Sequence, residues 1–174
     1  TCDFDPGPAT ANINSVGGSM DIFVQKLSSA GDYVWAKKIG ASGFDMGVAL
    51  AVKGNTIALT GWFQSNVDFD PSPTAYTINN QGNGDIYLLS LTTDGNFNWA
   101  KGFGSAMGDK GRDVAIADNG EIYLTGIFDE AIDLDPGTAT HTVTADEVTN
   151  FFILNLSGTG DFVWARTFTG TSYK

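Results

Sequence analysis

The chain has 174 residues, 42% of them hydrophobic, and its 20 acidic and nine basic side chains give a formal charge of −11 at pH 7. This length and composition support a packed core, while the negative charge opposes binding to nucleic acid and to anionic membrane surfaces. No apolar run approaches the ~18 residues of a membrane-spanning helix, so we expect no membrane insertion. Because Cys2 is the only cysteine, an intrachain disulfide is excluded.

An internal repeat organises the chain. The motif Asp-x-Asp-Pro begins at residues 3, 68 and 133, so its copies are 65 residues apart in both intervals. A glycine followed four residues later by a tryptophan also recurs, as Gly31 and Trp35, Gly95 and Trp99, and Gly160 and Trp164. We therefore predict repeat units at 1–66, 67–131 and 132–174, or about 2.7 units, with the third incomplete.

Each unit carries four strand signals in chain order. The first complete set starts with residues 21–27, which are rich in β-branched and aromatic side chains, and continues after a Ser- and Gly-rich turn with residues 33–37. A Gly-rich link leads to a third strand, and residues 56–63 form the fourth. No segment has a sustained helical period. The pattern predicts an all-β fold of four-stranded antiparallel meanders, with boundaries near each Asp-x-Asp-Pro motif.

Side-chain size alternates along the predicted third strand. Leu50 and Val52 point to one side, and Ala49 and Ala51 point to the other. A face of small residues lets a neighbouring sheet approach closely, so we expect a second sheet to pack on the alanine side.

The strand Asp-Ile-Phe-Val-x-Lys-Leu, followed by Gly-x-x-x-Trp-Ala and then by Thr-Gly-x-Phe, resembles the bacterial seven-bladed β-propeller repeat called SBBP. The resemblance covers nearly the whole chain. It implies propeller blades in a large secreted or cell-surface protein, of a kind frequent in Bacteroidota and often exported by a type IX system. The units are longer than the ~40–50 residues of most blades, so a closed propeller and a linear array of blade-like sheets are both open.

The Asp-x-Asp-Pro motif suggests a metal site. Two carboxylates at positions i and i+2 can converge on one Ca²⁺ ion when the backbone curls, and the proline favours that curl. Alternatively, the motif is only a turn in which the aspartates bind local backbone N–H groups. The candidate calcium ligands are Asp3, Asp5, Asp68, Asp70, Asp133 and Asp135.

The tryptophans divide into two groups. Trp35, Trp99 and Trp164 recur at the same place in each unit, so we expect them to pack between adjacent sheets rather than to bind sugars. The position of Trp62 is occupied by Ile127 in the next unit, so the tryptophan there is not part of the repeat. It is therefore our candidate for a ligand contact, although a variable core position explains it equally well.

These features favour a non-enzymatic extracellular or cell-surface module for binding, adhesion or spacing. Its expected partners are other repeats of the same or a larger protein, and a surface glycan or protein. The alternatives are a filament subunit and a propeller enzyme, either glycan-active or quinoprotein-like, because the Gly-x-x-x-Trp pattern also resembles the tryptophan-docking motif of quinoprotein dehydrogenases. Nearly all distinctive motifs of the chain recur unchanged in each unit, whereas a catalytic site needs different residue types that converge at one place. The repetition therefore favours the non-enzymatic module.

The incomplete third unit also suggests that these residues belong to a larger assembly. We expect the end sheets to expose apolar faces, such as Leu50 and Val52 or Phe152 and Leu154. Further repeats in a longer chain, or copies associating head to tail, would cover them.

Overall fold

The computed structural model describes residues 1–145 and 150–168, and all regular secondary structure in this part of the chain is β. It contains no helix long and apolar enough to cross a membrane. The predicted all-β fold is confirmed.

The strands are β1 (Cys2–Asp3), β2 (Asn12–Ile13), β3 (Ile22–Leu27), β4 (Tyr33–Ile39), β5 (Asp45–Lys53), β6 (Thr56–Phe63), β7 (Val67–Asp68), β8 (Thr77–Ile78), β9 (Asp85–Thr92), β10 (Phe97–Phe103), β11 (Lys110–Ile116), β12 (Ile122–Phe128), β13 (Ala131–Asp133), β14 (Thr142–Thr144), β15 (Asn150–Leu156) and β16 (Phe162–Phe168).

Two four-stranded antiparallel sheets and one strand pair form the body of the molecule. The first pair is β3 and β4. The middle sheet has the order β10-β9-β6-β5, and the last sheet has the order β11-β12-β15-β16. Neighbouring strands follow one another along the chain except that a short hairpin, β7–β8 or β13–β14, interrupts the path between the second and third strands. Four-stranded antiparallel meanders are therefore confirmed, but the predicted set of strands is wrong, because β4 does not pair with β5.

The sheets are out of phase with the predicted repeat units. The middle sheet takes β5 and β6 from unit 1–66 and β9 and β10 from unit 67–131. β6 and β9 are paired along eight residues, from Thr56 opposite Thr92 to Phe63 opposite Asp85. The expectation that sheets begin near each Asp-x-Asp-Pro motif is therefore wrong. The sheets begin after the Gly-rich links that follow β4 and β10, and the motif lies inside the meander.

Two apolar cores hold these layers together. The core between the middle and last sheets joins Ala58, Ile86 and Leu88 to Val114 and Leu124. Ala49 and Ala51 pack against the same core, which confirms that the small-residue side of β5 meets a second sheet. The core between the first pair and the middle sheet joins side chains of β3 and β4 to those of β6 and β9, and its members include Ile22, Val24, Ile39, Leu59, Phe63, Tyr87 and Leu89.

Several apolar side chains on β5 and β15 remain in contact with solvent. Leu50 and Val52 are 50% and 58% exposed, as predicted. The corresponding prediction for Phe152 and Leu154 is wrong, because both are buried against the middle sheet. On β15 it is the alternate residue Phe151 that points outward, at 60% exposure. The predicted end of the third unit, 169–174, lies outside the described residues.

Candidate functional site

Each Asp-x-Asp-Pro motif forms a small hairpin closed by its first aspartate. Asp68 Oδ1 accepts hydrogen bonds from the backbone N–H groups of Asp70 at 3.1 Å and Tyr76 at 2.8 Å. Asp3 and Asp133 make the corresponding pairs of bonds, at 3.0 and 2.8 Å in both copies. The first aspartate thus ties the start of the hairpin to its returning strand.

The second aspartate caps the following turn. Asp5 Oδ1 accepts from the Gly7 N–H at 2.7 Å, and Asp70 and Asp135 accept at 2.8 Å from the N–H groups two residues ahead. Between the two aspartates, Phe69 and Leu134 are fully buried in the cores. The motif therefore places an apolar side chain in the core, while the aspartates on either side accept hydrogen bonds from nearby backbone N–H groups.

These contacts favour the turn interpretation of the six candidate calcium ligands. In all three copies one oxygen of each carboxylate already binds backbone N–H groups. The N–H groups of Ala11 and Asp5 hold the pKa of Asp3 below its usual value. Residues 1–145 and 150–168 contain no group of three or more His, Cys, Asp or Glu side chains placed to hold a metal ion. Calcium binding remains a prediction.

Two of the three repeated tryptophans, Trp35 and Trp99, clamp the next sheet, as predicted. The ring of Trp35 lies on the hairpin glycine Gly95, where a Cβ atom would come within 3.3 Å of the ring. Trp99 lies on Gly160 in the same way, at 3.1 Å, and donates from Nε1 to the Gly158 carbonyl at 3.1 Å. Both glycines have positive φ angles, 77° and 82°, which suit glycine. The tryptophan of one Gly-x-x-x-Trp motif therefore packs on the glycine of the next motif and so joins the two units.

Trp62 is half-buried beside the last sheet. Lys110 Nζ lies 5.6 Å from the centroid of its ring, a cation–π distance. The lysine thus already occupies one face of the indole. A ligand contact at Trp62 remains a prediction.

Sequence reasoning missed two buried carboxylates, Asp45 at the start of β5 and Asp109 just before β11. Asp45 Oδ2 accepts from the Ala41 N–H at 2.7 Å, and Asp109 Oδ2 accepts from the Ser105 N–H at 2.7 Å. Each thereby fastens the Gly-rich link before its sheet. Both aspartates are at most 1% exposed, and burial raises the pKa of each. Their recurrence 64 residues apart is the signal that could have found them.

A second pair of carboxylates lies beside the first. Asp21 and Asp85 accept through Oδ2 from the N–H groups of Val16 at 2.8 Å and Gln81 at 2.6 Å. The Oδ1 atoms of both are buried with no hydrogen bond among the described residues. Burial raises the pKa of Asp85 to about 6, and the charge of Asp109 adds to the shift.

Glycines make room for these side chains. A Cβ on Gly104 would lie 2.2 Å from Asp85 Cγ, and a Cβ on Gly40 would lie 2.8 Å from Asp21 Cγ. Both carboxyl groups therefore pack directly against a glycine backbone.

A groove between β3 and β5 opens beside Asp21 and Asp45. It encloses about 340 Å³, and its apolar lining includes Met20, Phe23, Met46, Leu50 and Leu59. We call it the β3–β5 groove. The corresponding acids Asp85 and Asp109 lie in the junction between the middle and last sheets, which is covered by strands. The carboxylates thus make the same backbone contacts with and without an open groove.

No protein-family model matches the chain, and no curated protein is significantly similar to it.

Proposed function

We propose that the chain is a non-enzymatic repeat module of an extracellular or cell-surface protein, acting as a spacer and binding platform whose main partners are further repeats of the same type. The supporting observation is the equivalence of its two junctions. Trp35 and Trp99 clamp the next hairpin alike, and the paired aspartates fasten the Gly-rich links alike. A set of groups that serves two junctions in the same way is suited to stacking units.

The same equivalence argues against a catalytic use of the β3–β5 groove. Its acids, Asp21 and Asp45, are the most obvious acid–base candidates in the molecule. Their counterparts Asp85 and Asp109 have the same backbone partners inside a covered junction, where a substrate has no access. Backbone capping accounts for both pairs, so the groove acids need no second role.

Matched substitutions at Asp45 and Asp109 test this proposal. Alanine at either position removes the cap of a Gly-rich link and should lower the free energy of unfolding by a similar amount, about 1–3 kcal/mol. Urea denaturation of both variants gives the comparison. Assays of the purified chain for glycan turnover and for a bound redox cofactor run in parallel. Turnover that Asp45→Ala abolishes while stability is unchanged would reverse the proposal in favour of an enzyme.

A second candidate function is that of a filament subunit. Gly31 is exposed and no atom of the described residues lies within 4 Å of the position of a Cβ there, although its counterparts Gly95 and Gly160 are covered by tryptophans. Within the part of the chain that the structure describes, the ring of Trp164 has Tyr123 and Arg166 beside it and covers no hairpin. The tryptophan of one copy is therefore complementary to the glycine turn of another. Filaments in negative-stain electron microscopy, lost in Trp164→Ala, would support this function over a spacer.

A further inference from the structure

We propose that the free edge of β3 is a docking site for the third and fourth strands of a further repeat unit, a β-hairpin ending in Thr-Gly-x-Phe whose glycine lies opposite Phe23. The proposal rests on the proposed function and specifies the partner and its register.

Among residues 1–145 and 150–168, the first pair lacks two strands that the sheets have. In this part of the chain β3 pairs only with β4, whereas β9 pairs with β10 and β6, and β15 pairs with β16 and β12. The pairing of β3 with β4 repeats that of β9 with β10 residue for residue, including an irregularity near the hairpin turn. β3 is therefore built like the inner strand of a four-stranded sheet, with one edge open to strand addition.

Side chains around this edge are exposed where their counterparts are buried. Phe23 is 58% exposed and its counterpart Tyr87 is fully buried. Leu27 is 42% exposed, and its counterpart Leu91 is fully buried. On the other side of the β3–β5 groove, Leu50 is 50% exposed, whereas its counterpart Val114 is only 6% exposed. The open edge of β3 and the exposed face of β5 therefore border the same groove, the β3–β5 groove.

The other two copies show what fills that space. β6 lies on β9 with Gly61 opposite Tyr87, and β12 lies on β15 with Gly126 opposite Phe152. A Cβ on Gly61 would come within 3.2 Å of the Tyr87 ring, and a Cβ on Gly126 within 2.6 Å of the Phe152 ring. The same Cβ atoms would lie 1.8 Å from the Met46 carbonyl oxygen and 2.6 Å from the Lys110 carbonyl oxygen, so glycine at this place suits both the hairpin that carries it and the aromatic ring on the adjacent strand. Phe23 occupies the corresponding position on β3.

A second glycine contact fixes the same residues of the partner. Gly111 of β11 lies against Thr60 and Gly61, and a Cβ there would be 2.2 Å from Thr60 Oγ1. Its counterpart Gly47 on β5 is exposed. The Thr-Gly dipeptide of an added strand would lie between Gly47 and Phe23, as Thr60-Gly61 lies between Gly111 and Tyr87.

The terminal phenylalanine of the partner completes an aromatic cluster. In the middle sheet, Phe69 contacts both Phe63, the last residue of β6, and Tyr87, at centroid distances of 5.3 and 5.1 Å. In the first copy, Phe4 contacts Phe23 at 4.8 Å, but no described residue takes the place of Phe63. The missing ring is the one that a strand ending in Gly-x-Phe would supply.

The occupant is a hairpin of a further unit and not an intact second copy. Both hairpins of this type among the described residues, β5–β6 and β11–β12, are already paired with the strands that follow them. In the middle sheet, β6 reaches β9 through the β7–β8 hairpin, and β1–β2 occupies the matching place before β3. A grafted hairpin ahead of β1 would therefore approach β3 along the same path.

The test is a graft of a duplicate of residues 45–65 ahead of Thr1, which keeps the spacing between β6 and the Asp-x-Asp-Pro motif. We expect amide hydrogen exchange of Phe23 and its β3 neighbours to slow about tenfold or more, toward the rates in β9, and the melting temperature to rise. The matched control is the same graft with its duplicate of Phe63 changed to serine, which leaves the contact of Gly61 with the Met46 carbonyl inside the hairpin intact and should give much smaller effects. Equal protection in the control would overturn the register, and an unchanged β3 in the folded graft would overturn the docking site.

A second measurement removes dependence on the folding of the graft. The synthetic peptide of residues 45–65 is added to the unaltered 174-residue chain, with its Phe63→Ser form as control. Saturable protection of β3 by the first peptide alone supports the proposal, and no protection by either contradicts it. The proposed function fails on different results, namely turnover or a bound redox cofactor in the unaltered chain.

Discussion

Replacing Asp85 by asparagine should make the fold more stable in mildly alkaline solution and less dependent on pH. The side chain is 1% exposed, and its Oδ2 accepts from the Gln81 N–H at 2.6 Å. Its Oδ1 lies against Gly104 and has no hydrogen bond to any described residue. An amide oxygen can keep the bond from Gln81. Asparagine already occupies the corresponding position in the third copy, as Asn150.

The pKa of Asp85 sets the expected size. Burial raises it from 3.8 to about 6. At about 1.36 kcal/mol per pKa unit, ionised Asp85 lowers stability by about 2–3 kcal/mol when the pH is well above 6. As the pH falls through about 6, the folded chain binds a proton before the unfolded chain does, so stability rises until the unfolded pKa is passed. The uncharged variant lacks this gain, and its advantage of about 1–3 kcal/mol near pH 8 should shrink toward pH 5.

Urea denaturation of both proteins across this pH range measures the effect. The control is Asp94→Asn, which removes the same charge from a side chain that is 77% exposed and only 3.8 Å from Lys26. It should change stability by no more than about 0.5 kcal/mol at any pH. The reasoning is refuted if Asp85→Asn is less stable than the native chain near pH 8, or if its stability keeps the native pH dependence.

Three further predictions concern the clamps, the glycines and calcium. Trp99→Ala should lower the free energy of unfolding in urea by about 3 kcal/mol, and Trp164→Ala by clearly less, because Trp99 covers a described hairpin and Trp164 does not; equal losses would contradict the clamp. Gly126→Ala should lower the melting temperature strongly, because its Cβ would lie 2.6 Å from the Lys110 carbonyl, while Gly108→Ala has open space around it and should be tolerated. Millimolar Ca²⁺ should raise the melting temperature of chelator-treated protein, and no change would leave Asp68 and its equivalents as turn residues only.

Local features of the chain were readable from the sequence. The strands follow from runs of β-branched and aromatic residues between Gly-rich turns, and the faces of β5 follow from the alternation of Ala49 and Ala51 with Leu50 and Val52. The clamp by Trp35 and Trp99 follows from repetition, since a residue kept at one place in successive units meets the same neighbours. These properties depend on periods of a few residues or on the repeat itself.

The pairing of strands across units was decided only by the tertiary structure. A repeat has the same period wherever its boundary is drawn, so the sequence could not show that β6 pairs with β9 and leaves the Asp-x-Asp-Pro motif inside the meander. The burial of Phe152 instead of Phe151, and of Asp45 and Asp109, depends on which sheet lies opposite each strand. That choice arises from contacts between residues far apart in the chain, where backbone pairing and core packing must be satisfied together.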